Sequence, residues 1–168
     1  MTGPHGPTAR DLGPFLDGDR HRTLDGMLQT ETGVRELSRQ ECLSLLPTVP
    51  VGRVVFTDRA LPAIVPVNFV VDAAGIVIRT GAGSTLAAAV RGSVVAFEVD
   101  EVDRDARNGW CVTVTGQARQ VTDPLELERL GRLDLTPWAG GDRHHVVVVP
   151  IDLVSGRRVG SGPLPLTR

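Results

Sequence analysis

Within seven residues, Arg79-Thr80-Gly81-Ala82-Gly83-Ser84-Thr85, the chain collects one guanidinium and three hydroxyls around two glycines, and Leu86-Ala87-Ala88-Ala89 follows directly. The pattern reads as a polar glycine loop opening into an Ala-rich helix, with Arg79, Thr80, Ser84 and Thr85 beside the helix start. Such an end presents unpaired N–H groups and a partial positive charge, and a guanidinium can grip a phosphate through two parallel hydrogen bonds. The chemistry on offer is therefore anion binding, of a phosphate above all. The apolar stretch before it, Pro62-Ala63-Ile64-Val65-Pro66-Val67-Asn68-Phe69-Val70-Val71, carries one amide, Asn68, whose hydrogen-bonding groups need partners if buried. A ring edge of a ligand or a neighbouring strand would serve equally.

Other chemistries lack their residues. Gly81 and Gly83 do not make a GxGxxG fingerprint, and no acidic residue follows at dinucleotide spacing. Cys42 and Cys111 form no CxxC pair and have no His at ligand spacing, so both are expected as reduced, packed thiols. His144 and His145 are adjacent on an expected strand, point to opposite faces and cannot share a metal; no metal is expected. No Ser-His-Asp or Cys-His arrangement marks a nucleophile, and no catalytic residue is assigned. Asp100, Glu101, Asp103, Arg104, Asp105 and Arg107 are read as a solvated loop, and Trp138 as a packing residue.

The elements that must position the loop follow from pattern. Residues 1–33, rich in Gly, Pro and charge, are expected as a tail, residues 34–160 as one domain and 161–168 as a second tail. Ser38-Arg39-Gln40-Glu41 is a capping box that predicts a short helix ending before Pro47 or Pro50. Strands are predicted at Val51–Thr57, Pro62–Asp72, Gly75–Thr80, Ser93–Val102, Trp110–Val121 and His144–Ile151, with Pro66 implying an edge or bulge and Gly116 a bulge. Asp123-Pro124 starts a helix that ends near Gly131 or Leu133, and a further helix is predicted over Gly83–Arg91. Six strands with only short helices between them fit an antiparallel barrel and not a doubly wound parallel sheet.

Bulk properties narrow the partners. A net charge of -2 and a pI near 6.1 over 168 residues do not favour a nucleic-acid partner. No run approaches 18 apolar residues and the first residues lack a signal-peptide pattern, so a cytoplasmic protein without a membrane span is expected.

Taken together, Leu37-Ser38-Arg39-Gln40-Glu41-Cys42, Gly52-Arg53-Val54, Pro66-Val67-Asn68-Phe69, Arg79-Thr80-Gly81-Ala82-Gly83-Ser84, Val95-Ala96-Phe97-Glu98-Val99-Asp100, Gly109-Trp110-Cys111-Val112, Thr136-Pro137-Trp138-Ala139 and Ser155-Gly156-Arg157-Arg158 resemble the pyridoxamine 5′-phosphate oxidase-like split-barrel proteins. The nearest branch includes the nitroimidazole-resistance proteins. The resemblance spans residues 34 to about 160.

It implies a mainly β, six-stranded antiparallel split barrel of Greek-key character, paired as a homodimer with two flavin sites at the subunit interface. By the same resemblance, FMN is the cofactor, its phosphate beside Arg79, Thr80, Ser84 and Thr85. Its ring would lie along Val65, Pro66, Val67 and Asn68, closed by Trp110 of the partner subunit. The implied activity is oxidation or reduction of a small organic substrate, with a reduced nicotinamide among the possible donors. Many relatives carry a lysine where this chain has Thr85. A deazaflavin (F420) reductase on the same fold and a non-enzymatic flavin- or haem-binding or sensory barrel are the alternatives. The terminus lacks the Arg and His motif with which pyridoxamine phosphate oxidases hold substrate.

Overall fold

Ser38 begins the first helix as its capping box requires: its Oγ accepts the Glu41 N–H at 3.3 Å, and Glu41 Oε2 accepts the Ser38 N–H at 2.8 Å. The computed structural model describes residues 33–81, 86, 92–138 and 144–160. In chain order these form β1 (Val34–Glu36), α1 (Arg39–Leu45), a 3-10 turn (Leu46–Thr48), β2 (Val51–Asp58), β3 (Leu61–Asp72), β4 (Gly75–Thr80), β5 (Val94–Asp103), β6 (Asn108–Gln117), β7 (Arg119–Gln120), α2 (Pro124–Gly131), β8 (His145–Val149) and β9 (Leu153–Val159). All pairings are antiparallel and run in the order β1-β9-β6-β5-β2-β3-β4-β8-β7.

The barrel is split at β3. Its first part, Leu61 to Asn68, pairs only with β2, from Asp58↔Leu61 to Val51↔Asn68. Its last part, Phe69 to Asp72, pairs only with β4. Pro66 therefore lies on a one-sided stretch, where a missing N–H breaks no second ladder. The edge reading of Pro66 holds, and the antiparallel barrel that the strand pattern predicts is the split barrel that the family resemblance implies.

Three features differ from the sequence reading. The sheet gains β1 and β9, short or interrupted by Gly156 and too charged to read as strands. The segment expected as a long charged connection is mostly strand, and only residues 104–107 lie between β5 and β6. Gly116 makes no bulge: it pairs in register with Val95, and a Cβ there would meet the Pro150 carbonyl oxygen at 2.0 Å. Glycine is required for close approach of two backbones; the ladder breaks at Ala118 instead, whose N–H donates to Ser93 O at 2.9 Å. The helix predicted over Gly83–Arg91 lies outside the described residues except at Leu86, which is helical and buried.

Two apolar clusters hold the sheet. The larger runs through the barrel from Leu37, Cys42 and Leu46 to Phe69, Phe97 and Val112. Phe69 and Phe97 meet edge to face, centroids 4.7 Å apart. Gly52 makes room for them, since a Cβ there would stand 2.2 Å from the Phe97 ring. The smaller cluster seats α2 on β4 and β8 through Leu130, Val77 and Val148.

Candidate functional site

The one-sided stretch of β3 is the first wall of the site. Val65 and Val67 pack partly into the barrel, while Ile64 stays 63% exposed. Along this stretch the backbone groups turned away from β2 have no ladder partner among the described residues. Asn68 ends it. Its Nδ2 donates to Pro50 O at 3.2 Å, and its Oδ1 accepts the Trp138 N–H at 2.8 Å. The amide is thus a clasp between β3 and the segment after α2. Trp138, read from sequence as a packing residue, is 73% exposed beside this wall: its backbone is anchored and its indole is not.

Arg79 stands at the end of β4, where its Nη2 donates to Gly131 O at 2.9 Å and to Leu130 O and Leu133 O at 3.3 and 3.4 Å. These carbonyls lie at and just beyond the C-terminus of α2, where orphan acceptors and the negative end of the helix dipole attract a cation. Nη1 and Nε have no hydrogen bond among the described residues. Thr80 is buried at 3% exposure. Ser84 and Thr85 lie outside the described residues, so of the four residues expected beside a phosphate only Arg79 and Thr80 are described.

Two more guanidiniums strap α2 to the sheet. Arg129 bonds Asp72 at 2.7 Å, and Arg119 grips Glu126 with both Nη atoms at 2.7 and 2.9 Å. Each arginine holds its partner's carboxyl below the usual carboxylate range through the side-chain hydrogen bond. The strand end that carries Arg79 is therefore fixed to a helix that is itself tethered.

Strand alternation turns the Trp110 side chain inward, where it is 2% exposed in the protomer's own core. Its neighbour Cys111 faces the other side, half-buried, on an open groove of about 570 Å³ over β5, β6 and β9. Glu98 and Asp100 also line it, both bonded to Arg53 of β2, with Glu98 at 3.0 Å. The sequence reading missed this face. Its signal was present in the alternation Glu98, Asp100, Val102 opposite a strand carrying Arg53, once Asp100 is assigned to a strand. His145 Nδ1 meets Gln120 Nε2 at 2.8 Å, and the described residues hold no group of three potential metal ligands. No described helix is long and apolar enough to cross a membrane.

A family model described as pyridoxamine 5′-phosphate oxidase matches residues 38–158, from the capping serine of α1 to the end of β9. The chain belongs to the pyridoxamine 5′-phosphate oxidase family. Among family relatives, an uncharacterized protein of Mycobacterium tuberculosis is 43% identical over 136 residues, covering 78% of this chain and 89% of that one. The structure of an FAD-binding protein from Mycobacterium smegmatis superposes with a TM-score of 0.64 at 36% identity, over 75% of this chain and 98% of that one. A candidate pyridoxamine 5′-phosphate oxidase from Corynebacterium glutamicum gives a TM-score of 0.68 at 34% identity, over 82% and 98%. Family membership gives the open stretch of β3 and the strand end at Arg79 and Thr80 a shared context: both lie within the matched span.

Proposed function

We propose that the protein is a homodimeric flavin-binding oxidoreductase acting on a small organic molecule. The observation that carries this reading is the open edge of β3 from Val65 to Asn68, whose unladdered backbone groups suit the polar rim of a flavin ring, in a chain of this family. The residues present fit such a group at that wall: Val65 and Val67 offer apolar surface, Pro66 leaves the edge unladdered, and Asn68 is held by two partners. Arg79 and Thr80 would stand beside the phosphate, and Nη1 and Nε of Arg79 have no hydrogen bond among the described residues. When bound, the flavin would supply the redox chemistry, and the chain would supply position, charge and exclusion of water.

FMN is the expected cofactor, and a specific observation favours FAD as the second reading: the 36% identical relative from Mycobacterium smegmatis is an FAD-binding protein. Homodimerisation is supported by the apolar residues left on the outer face of the sheet, Ile64, Val94, Val102, Leu153 and Val159, all at least half exposed. The experiment is release of the bound cofactor by denaturation followed by chromatography against FMN, FAD and a deazaflavin, with light scattering for the oligomer. A protein that comes out colourless and fails to quench added flavin would overturn the proposal. A Soret band would transfer it to the haem alternative.

A further inference from the structure

Helix α2 is held to the sheet more by polar straps than by buried surface. Of its eight residues only Leu130 is fully buried, Leu127 packs partly against the same cluster, and Leu125 is 76% exposed. Isolated helices shorter than about 12 residues are marginal in water, so α2 persists through its anchors. These are spread along its length. Arg119 of β7 takes Glu126 in the first turn, Asp72 at the end of β3 takes Arg129 in the last turn, and Arg79 at the end of β4 takes the Gly131 carbonyl at 2.9 Å. Of the carbonyls that Arg79 meets, Leu130 O and Leu133 O also accept the N–H groups of Leu133 and Leu135 at 3.3 and 2.8 Å. Gly131 O accepts no backbone N–H among the described residues, and Arg79 is its donor.

The same guanidinium faces two ways. Strand alternation puts Arg79 on the α2 side of β4 with Val77, and Nη2 is taken up by the helix terminus while Nη1 and Nε have no hydrogen bond among the described residues. Docked α2 acts on the affinity of Arg79 for an anion in two opposed senses. The negative helix end offsets part of the charge, an effect of about two- to fivefold for a partly exposed group. Fixing a flexible arginine in one rotamer removes an ordering cost of up to about thirtyfold at the moment an anion binds. Preordering wins, and a docked α2 favours the anion.

We propose that α2 sets how tightly the site holds the phosphate of a flavin nucleotide, by keeping Arg79 in its binding rotamer. Arg119, Glu126, Arg129 and Asp72 are then positioning residues: they act on the phosphate only through the bond between Arg79 and Gly131. The inference rests on the flavin reading and adds to it a remote control of cofactor affinity. Coupling of this kind is reciprocal, so phosphate bound at Arg79 tightens α2 onto the sheet by the same factor.

Fluorescence titration of the purified full-length protein with FMN, FAD and riboflavin tests this, because riboflavin has the same ring and no phosphate. E126A/R129A removes both straps, leaves the net charge unchanged and does not lower helix propensity. It is expected to weaken the tighter-binding nucleotide at least tenfold and riboflavin less than twofold. Hydrogen exchange on the wild type reads the coupling in the other direction: the amides of Leu127 and Leu130 should slow at least fivefold more with that nucleotide than with riboflavin. This second measurement decides the matter where E126A/R129A fails to fold. Unchanged nucleotide affinity in E126A/R129A, equal weakening of nucleotide and riboflavin, or equal protection of α2 by the two overturns the inference and leaves the flavin reading standing. A wild type that binds none of the three flavins overturns the flavin reading, and this inference with it.

Discussion

Asn68 holds Trp138 by its backbone and leaves the indole free, with 2.8 Å between Oδ1 and the Trp138 nitrogen and 73% of the tryptophan exposed. A strand residue before the split in the barrel thus fixes a segment seventy positions later. The clasp has two arms, because the same amide donates to Pro50 O.

Replacing Asn68 by Ala removes both arms, and the expected cost is about 1 to 2 kcal/mol, the net worth of two partly exposed hydrogen bonds. N68D keeps the acceptor for Trp138 and loses the donor to Pro50. Chemical denaturation should therefore rank the wild type above N68D and N68D above N68A. Equal stability of all three would remove the clasp.

Arg79→Ala strands three carbonyl oxygens at the end of α2 and is expected to lower stability by about 1 to 2 kcal/mol. In the flavin reading it also weakens cofactor affinity, through lost charge and a loosened strand end. R79K should retain part of both, as it restores a cation without the fork. Thermal melting beside flavin fluorescence titration separates the two effects, and an R79A protein unchanged in both would refute the assignment.

Gly116→Ala drives a Cβ against a carbonyl oxygen that belongs to backbone and cannot swing away. The expected loss is about 3 kcal/mol, at the upper end of ordinary overpacking. A melting temperature within error of the wild type would show that the β6 and Pro150 backbones separate freely.

Acidification should release the strap between β1 and α1. Arg35 bonds both carboxylate oxygens of Glu41 at 2.8 and 3.2 Å, and this contact first, then the Ser38 hydrogen bonds, bring the Glu41 carboxyl from 4.5 down to about 2. A carboxyl with a depressed folded value stabilises the fold above its unfolded value. That contribution is lost as pH falls from about 4.5 towards 2. With both side chains about 40% exposed it is worth at most about 1 kcal/mol. E41Q should flatten this part of the stability profile below pH 5, and an identical slope in wild type and E41Q would contradict it.

Local sequence determined every element whose cause is local. Ser38 with Glu41, and Asp123 with Pro124, fix two helix starts because a cap is satisfied within one turn of chain. Pro66 announced the one-sided stretch of β3, since proline cannot serve two ladders. The motif series from Ser38 to Arg158 was enough to place the family and its barrel. Tertiary structure decided which way side chains face and what they meet. Trp110 and Cys111 are sequence neighbours on a strand, and only the sheet's packing sends the indole to the core and the thiol to the groove. Arg79 reads as a phosphate ligand in the sequence, and only the fold shows α2, some fifty residues later, bringing its terminal carbonyls within its reach. The row Val102, Gly109, Val159 and Val34 exists only through cross-strand register. Register is set by pairing over long sequence separations, which no local spacing encodes.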